Sequence, residues 1–225
     1  MDQTPSLTLS PNISSTEPDL LFKNAVIFYN LLVDIRQKGA SLPKNAKNTI
    51  FLMLTELAFD HHAAILKLVE TRTLVSSALA LVRTLMETVG RAIWVHRRGR
   101  EQKLRHVIKT SGCDLPDYAA MSLVVDQEIA ALGARTWFRL PEAHLNELHS
   151  LTHSGKAALT MRIGPDGVVA PTYPIQTVHR LLRRTASFAA LNGIVYTQVI
   201  SGCWEEASVD AKVIADRYEE LFGTD

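Results

Sequence analysis

Two long helix-forming runs meeting at a short turn dominate the middle of this chain and limit what it can fold into. Residues 48–72 contain neither glycine nor proline and place Ile50, Leu54, Leu57, Ala58, Ile65, Leu68 and Val69 on the spacing of one helical face. Residues 74–96 likewise place Val75, Leu79, Val82, Leu85, Met86, Val89 and Ile93 on one helical face. The turn at residues 71–73 is too short for anything but a reversal, so the two runs are expected to form an antiparallel helical hairpin.

The flanking segments continue the pattern. Leu20, Leu21, Ala25, Phe28, Leu31, Leu32 and Ile35 mark a helix ended by Lys38-Gly39, and Ser41-Leu42-Pro43 breaks the chain before the hairpin. Arg97-Arg98-Gly99 closes the hairpin. Helical segments are then expected at 101–110, 117–132, 141–152, 176–204 and 207–222. Residues 161–174 contain RIGPDGVVAPTYP, whose Gly, Pro and alternating apolar residues read as a loop or small hairpin insertion. Residues 1–18, rich in Ser, Thr, Pro and Asn, read as a flexible tail, with one domain over 19–225. The expected architecture is all-α: a single-domain up-and-down bundle of six or seven helices.

Composition narrows the function classes. A chain of 225 residues with 47% hydrophobic and 21% charged residues can bury a core without disulfides or a structural metal. Its 24 Lys+Arg against 23 Asp+Glu exclude a global nucleic-acid or membrane signature, so any such role must rest on local patches. Cys113 and Cys203 read as free thiols in a reducing compartment, and the first twenty residues lack a basic start followed by an apolar run. A cytoplasmic protein without a cofactor is expected. Residues 185–204 carry no charge, but they include Asn192 and Gln198, which are costly in lipid. They are read as a buried core helix, and no membrane partner is expected.

Three constellations could carry chemistry. Arg83, Glu87 and Arg91 recur at steps of four and form one stripe of the third helix. With the hairpin turn centred near residue 71, Asp60, His61 and His62 should face residues 80–83, and Glu56 should face Glu87. His149 and His153 lie one turn apart on one face. That spacing suits a metal pair, but Ser150 stands where the zinc-protease HExxH motif has Glu, and no Glu-x-x-His pair marks a di-iron bundle. The third constellation is the basic segment 91–109, in which Arg97, Arg98, Arg100, Lys103 and Arg105 are phosphate-friendly. The plain structural alternatives are a solvated Arg–Glu–Arg face, helix-end histidines and a charged loop.

The runs LAFDHHAAILKLVETRTLVSSALALVRTLMETVGRAIWVHRR and LHSLTHSGKAA resemble a bacterial family of unknown function, number 6988, which is similar to the one numbered 5677. The resemblance covers roughly residues 45–200 and rests on the Ser77-Ala78-Leu79-Ala80-Leu81-Val82-Arg83 run with Glu87 and Trp94, and on the His149 segment. Thr84 stands where the family often has Pro. The resemblance implies an all-α intracellular bacterial protein without an established activity. It is distantly similar to HEPN-like helical proteins, ribonucleases that cleave RNA without metal and carry an Arg-x4–6-His pattern. Arg91-x4-His96 fits that pattern, as do Arg100/His106 and Arg139/His144, which is about the number chance supplies.

Three readings follow. In the first, the protein acts on RNA in defence or as a toxin: His149 and His153 exchange protons, Arg83 stabilises phosphorane charge, Glu87 and Asp60 orient these groups, and the basic segment holds the backbone. In the second, the bundle is a non-catalytic module that binds a partner protein or homodimerises. In the third, His61, His62, His149 and His153 with Glu87 bind a metal for hydrolysis.

Overall fold

The computed structural model describes residues 17–38, 42–109, 115–131, 138, 140–152, 173–202 and 209–223. Eight helices and no strands occur among them: α1 (Glu17–Gln37), α2 (Ala46–Glu70), α3 (Val75–Arg98), α4 (Glu101–Lys109), α5 (Tyr118–Ala131), α6 (Glu142–Thr152), α7 (Ile175–Ser201) and α8 (Val209–Phe222). The all-α expectation therefore holds. The described residues hold eight helices rather than six or seven, one for each helical segment read from the sequence. Most of the expected insertion, residues 161–172, lies outside the described residues, as do Cys113 and Cys203.

The hairpin forms as its periodicity predicts. Asn45 caps α2, its side chain accepting the Asn48 N–H at 2.8 Å, which satisfies one of the donors a helix start leaves open. One stripe of each hairpin helix is buried, with Phe51, Phe59, Ile65 and Leu66 from α2 and Leu85, Met86, Val89 and Ile93 from α3. Each such side chain contributes about 1.5–3 kcal/mol on burial. The ring of Phe51 meets that of His96 at 5.5 Å. That contact displaces the helix pairing by about five positions from a turn centred on residue 71.

The uncharged stretch 185–204 lies largely within α7, which contacts α1, α2, α3 and α8. Gly193 lets α7 approach Leu32 of α1 and Ile214 of α8, since a Cβ there would come within 2.7 Å of Leu32 and 3.0 Å of Ile214. α1 and α8 run antiparallel, tied at one end by Lys38–Asp210 and at the other by the Asn24 amide donating to the Leu221 carbonyl. Among the described residues α2 alone is long and apolar enough to cross a membrane, and 44% of its apolar window is buried inside the bundle.

Two short helices are placed by polar contacts. Glu101 opens α4, and its carboxylate accepts the backbone N–H groups of Ala46 and Lys47, so α4 sits on the start of α2. Those two N–H bonds and the Arg105 guanidinium hold the Glu101 carboxyl below the usual carboxylate range. α5 runs parallel to α3: Met121 lies against Gly90, and seven residues on Glu128 pairs with Arg97 at 2.7 Å. α6 runs antiparallel to α3, with Leu148 and Leu151 buried and the Thr152 hydroxyl donating to the Ala80 carbonyl.

Candidate acid–base site

Helical spacing stacks Arg83, Glu87 and Arg91 along α3, and their half-buried side chains form a continuous seam. Glu87 accepts from Arg83 Nε at 2.8 Å through one carboxylate oxygen and from Arg91 Nη2 at 3.0 Å through the other. Antiparallel docking of α6 then brings His149 to the seam, and Arg83 Nη1 lies 2.8 Å from His149 Nδ1. Guanidinium nitrogens donate and cannot accept. His149 Nδ1 therefore accepts, which requires a lone pair on that nitrogen and puts the proton of the neutral ring on Nε2. The imidazole itself is exposed. The result is a surface-reaching imidazole held by an arginine that is itself held by a carboxylate.

The structure brings Arg83, Glu87 and His149 together and adds Arg91 as the second partner of Glu87. His153 lies outside the described residues. Asp60 is exposed, and its charge bears on Tyr29, Glu56 and His61 rather than on the Arg83 seam. Glu56 turns to α1, where it pairs with Arg36 at 3.1 Å. Burial raises its carboxyl above the ordinary value, against the pull of Arg36. Asp60 and Glu56 lie on the side of α2 toward α1, whereas the seam lies on the side of α3 toward α6, so pairing along the hairpin does not bring them together.

The neighbouring histidines of α2 have different surroundings. His61 is half-buried, and burial lowers its pKa. His62 is fully buried against the Tyr29 ring at 5.7 Å, and neither ring nitrogen has a hydrogen-bond partner among the described residues. Among those residues no group of three or more His, Cys, Asp or Glu side chains forms a metal-ligand set, so His61, His62, His149 and Glu87 do not make one by themselves, while the fourth expected histidine ligand, His153, lies outside the described residues. Burial alone pushes the His62 imidazole down to about 3. The unfolded chain takes up that proton near pH 6.5 and the folded protein does not. Stability should thus be constant above about pH 6.5 and fall below it, by at most about 1.4 kcal/mol per pH unit for this group. Urea midpoints at pH 7, 6 and 5 should drop in the wild type and drop less steeply in His62→Leu. Equal slopes in both proteins would remove His62 as the cause.

Within the basic segment, Arg97 is engaged by Glu128 and Arg105 by Glu101 at 2.9 Å. Arg98, Arg100 and Lys103 are exposed. Arg91 and His96 do not form a pair: Arg91 faces Glu87, while His96 turns to Phe51 on α2. Burial, then the charges of Lys47 and Arg97, push His96 down to about 4. Lys47 joins this region through the Glu101 contact with the start of α2, a tertiary contact that has no signal in the sequence.

The fold and this seam define a helical-bundle protein with an Arg–Glu–Arg–His surface site. The description of a family of unknown function, DUF6988, matches residues 55–222, and the chain belongs to that family. The match begins partway along α2 and ends with α8, so α1 lies outside it. Neither a curated protein nor a solved structure matches the chain.

Proposed function

We propose that this protein is a HEPN-like, metal-independent ribonuclease of bacterial defence or toxin type, acting in the cytoplasm with His149 as its general base. The supporting observation is that one guanidinium, Arg83, joins Glu87 and His149, each at 2.8 Å. A phosphate oxygen is a stronger acceptor for guanidinium than an imidazole nitrogen is. A phosphodiester arriving at the seam draws Arg83 Nη1 to itself and frees the Nδ1 lone pair beside the bound phosphate. Nδ1 then takes the proton of the ribose 2′-hydroxyl as the 2′-oxygen attacks phosphorus. The P–O5′ bond breaks, leaving a 2′,3′-cyclic phosphate and a 5′-hydroxyl whose proton is assigned to His153 on sequence grounds. Arg83 stabilises the charge that builds on phosphorus, and Glu87 keeps Arg83 and Arg91 aimed.

The test is cleavage of end-labelled single-stranded RNA by the purified protein in EDTA, repeated with Zn²⁺ or Mn²⁺, with His149→Ala alongside. Cleavage in EDTA that the variant lacks is expected. Cleavage only with added metal would transfer the chemistry to a metal hydrolase, and no cleavage in either condition would overturn the reading. A second reading, homodimerisation or binding of a partner protein, draws on Met53 and Leu57, one turn apart on α2 and 64% and 43% exposed. A solution mass of one chain, unchanged by Met53→Lys, would count against self-association through that face.

A further inference from the structure

The seam is one end of a longer line of positive charge. Successive helical residues turn by about 100°, so Arg83, Glu87, Arg91, Trp94 and Arg98 of α3 fall within a sector of about 80°. Of these, Trp94 is half-buried and Arg98 exposed. The carboxylate in this sector, Glu87, is already shared by two arginines. Arg98 is the last residue of α3, and the chain passes from it through Gly99 into α4, which Glu101 ties to the start of α2. Lys44 and Lys47 arrive there from before and within the first turn of α2, Arg100 from just before α4 and Lys103 from within it. These four and Arg98 have no ion-pair partner among the described residues, whereas Arg97 and Arg105 do. Several unpaired cations and a partly exposed indole, continuous with a seam that can bind phosphate, suit a flexible polyanion with stackable bases.

We propose that this stripe of α3 and the cationic end of α2 and α4 form one track for single-stranded RNA, leading from the His149 site to an anchoring end. The proposal rests on the reading of the seam as a phosphodiester site. Arg83 and Arg98 are fifteen residues apart, about 22 Å along α3. At about 3.4 Å per stacked nucleotide, that span takes six or seven nucleotides. RNA of four nucleotides reaches the seam but not the anchor. RNA of twelve nucleotides reaches both.

Two probes separate the track from the chemistry. Binding is read by fluorescence anisotropy with 2′-O-methyl oligoribonucleotides of four and twelve nucleotides, which resist cleavage, over a range of salt. Cleavage is read separately on unmodified RNA of the same lengths. The triple variant Lys44→Ala/Arg98→Ala/Lys103→Ala, checked for native circular dichroism and melting, should bind the 12-mer at least about tenfold more weakly. Its slope of log K against log salt should be shallower by about 2, at about 0.7 per lost phosphate contact. Its handling of the 4-mer should match wild type. Unchanged 12-mer binding would overturn the track, and so would equal loss on both lengths. Binding to vesicles of phosphatidylcholine and phosphatidylserine, with none to RNA, would overturn it in favour of a lipid surface. Length-dependent binding that the triple variant loses, in a wild type that never cleaves, would sustain the track while the ribonuclease reading fails.

Discussion

His149→Ala should lower RNA cleavage in EDTA by about 10²–10⁴-fold, the usual worth of a positioned proton acceptor. Arg83→Ala should cost about 10²–10³-fold, because it removes both the charge facing the phosphorane and the group that holds the imidazole. Arg83→Lys discriminates further. Lysine keeps the charge but presents one compact ammonium, whereas Arg83 uses two nitrogens in a planar fork to reach Glu87 and His149 together. Most of the loss should therefore persist in the lysine variant. The fold should not suffer in either, since Arg83 is at the surface of the bundle and Glu87 retains Arg91. Because the two residues act as one unit, the double variant should be little worse than His149→Ala alone. Full activity in Arg83→Lys would show that charge alone suffices at this position, and additive losses would show that the two side chains act separately.

The seam was legible because an i, i+4 stripe needs only the helical period, and residues 83–91 lie in the middle of a helix that apolar spacing identifies. The register of the hairpin was not. The α3 N-cap position is Leu74, which has no side chain to cap the helix. Nothing local pins the pairing, and ring packing at the far end, Phe51 on His96, sets it. Asp60 and Glu56 were expected at the seam, but matching positions along the hairpin ignored the helix faces: the seam faces α6, and these two carboxylates lie beside α1 residues. His62 did carry a usable signal. Its helical neighbours Ala58, Phe59, Ile65 and Leu66 are all apolar and all buried, so its side chain had to enter the core. Reading the adjacent histidines as a ligand pair overlooked that neighbouring positions point about 100° apart. The arrival of His149 at Arg83 depends on α6 burying Leu148 and Leu151 against its neighbours, a tertiary fact to which spacing within α6 does not speak.

Gly90→Leu should be the most destabilising single substitution in the α3–α5 interface. A glycine inside a helix ordinarily costs about 1 kcal/mol relative to alanine, so the position invites improvement on propensity alone. Its surroundings reverse that expectation. A Cβ at residue 90 would come within 2.6 Å of Met121 Sδ and 2.6 Å of Phe138 Cζ. Met121 can yield by rotating its flexible end. Phe138 is held more firmly: its N–H donates to Asp126, its carbonyl accepts the Tyr118 hydroxyl, and its ring packs edge-on against Phe188 at 6.0 Å. Moving the ring thus strains the backbone that carries it. Overpacking of this kind costs about 1–3 kcal/mol, so Gly90→Ala should come out destabilised by up to about 2 kcal/mol after its propensity gain. Gly90→Leu should lose about 3 kcal/mol or more, a fall in melting temperature of roughly 6–12 °C for a domain of this size. Gly90→Leu combined with Phe138→Ala should recover part of that loss if the clash with the ring is the cause. A melting temperature for Gly90→Ala above that of wild type would mean that the ring moves freely and that helix propensity governs the site.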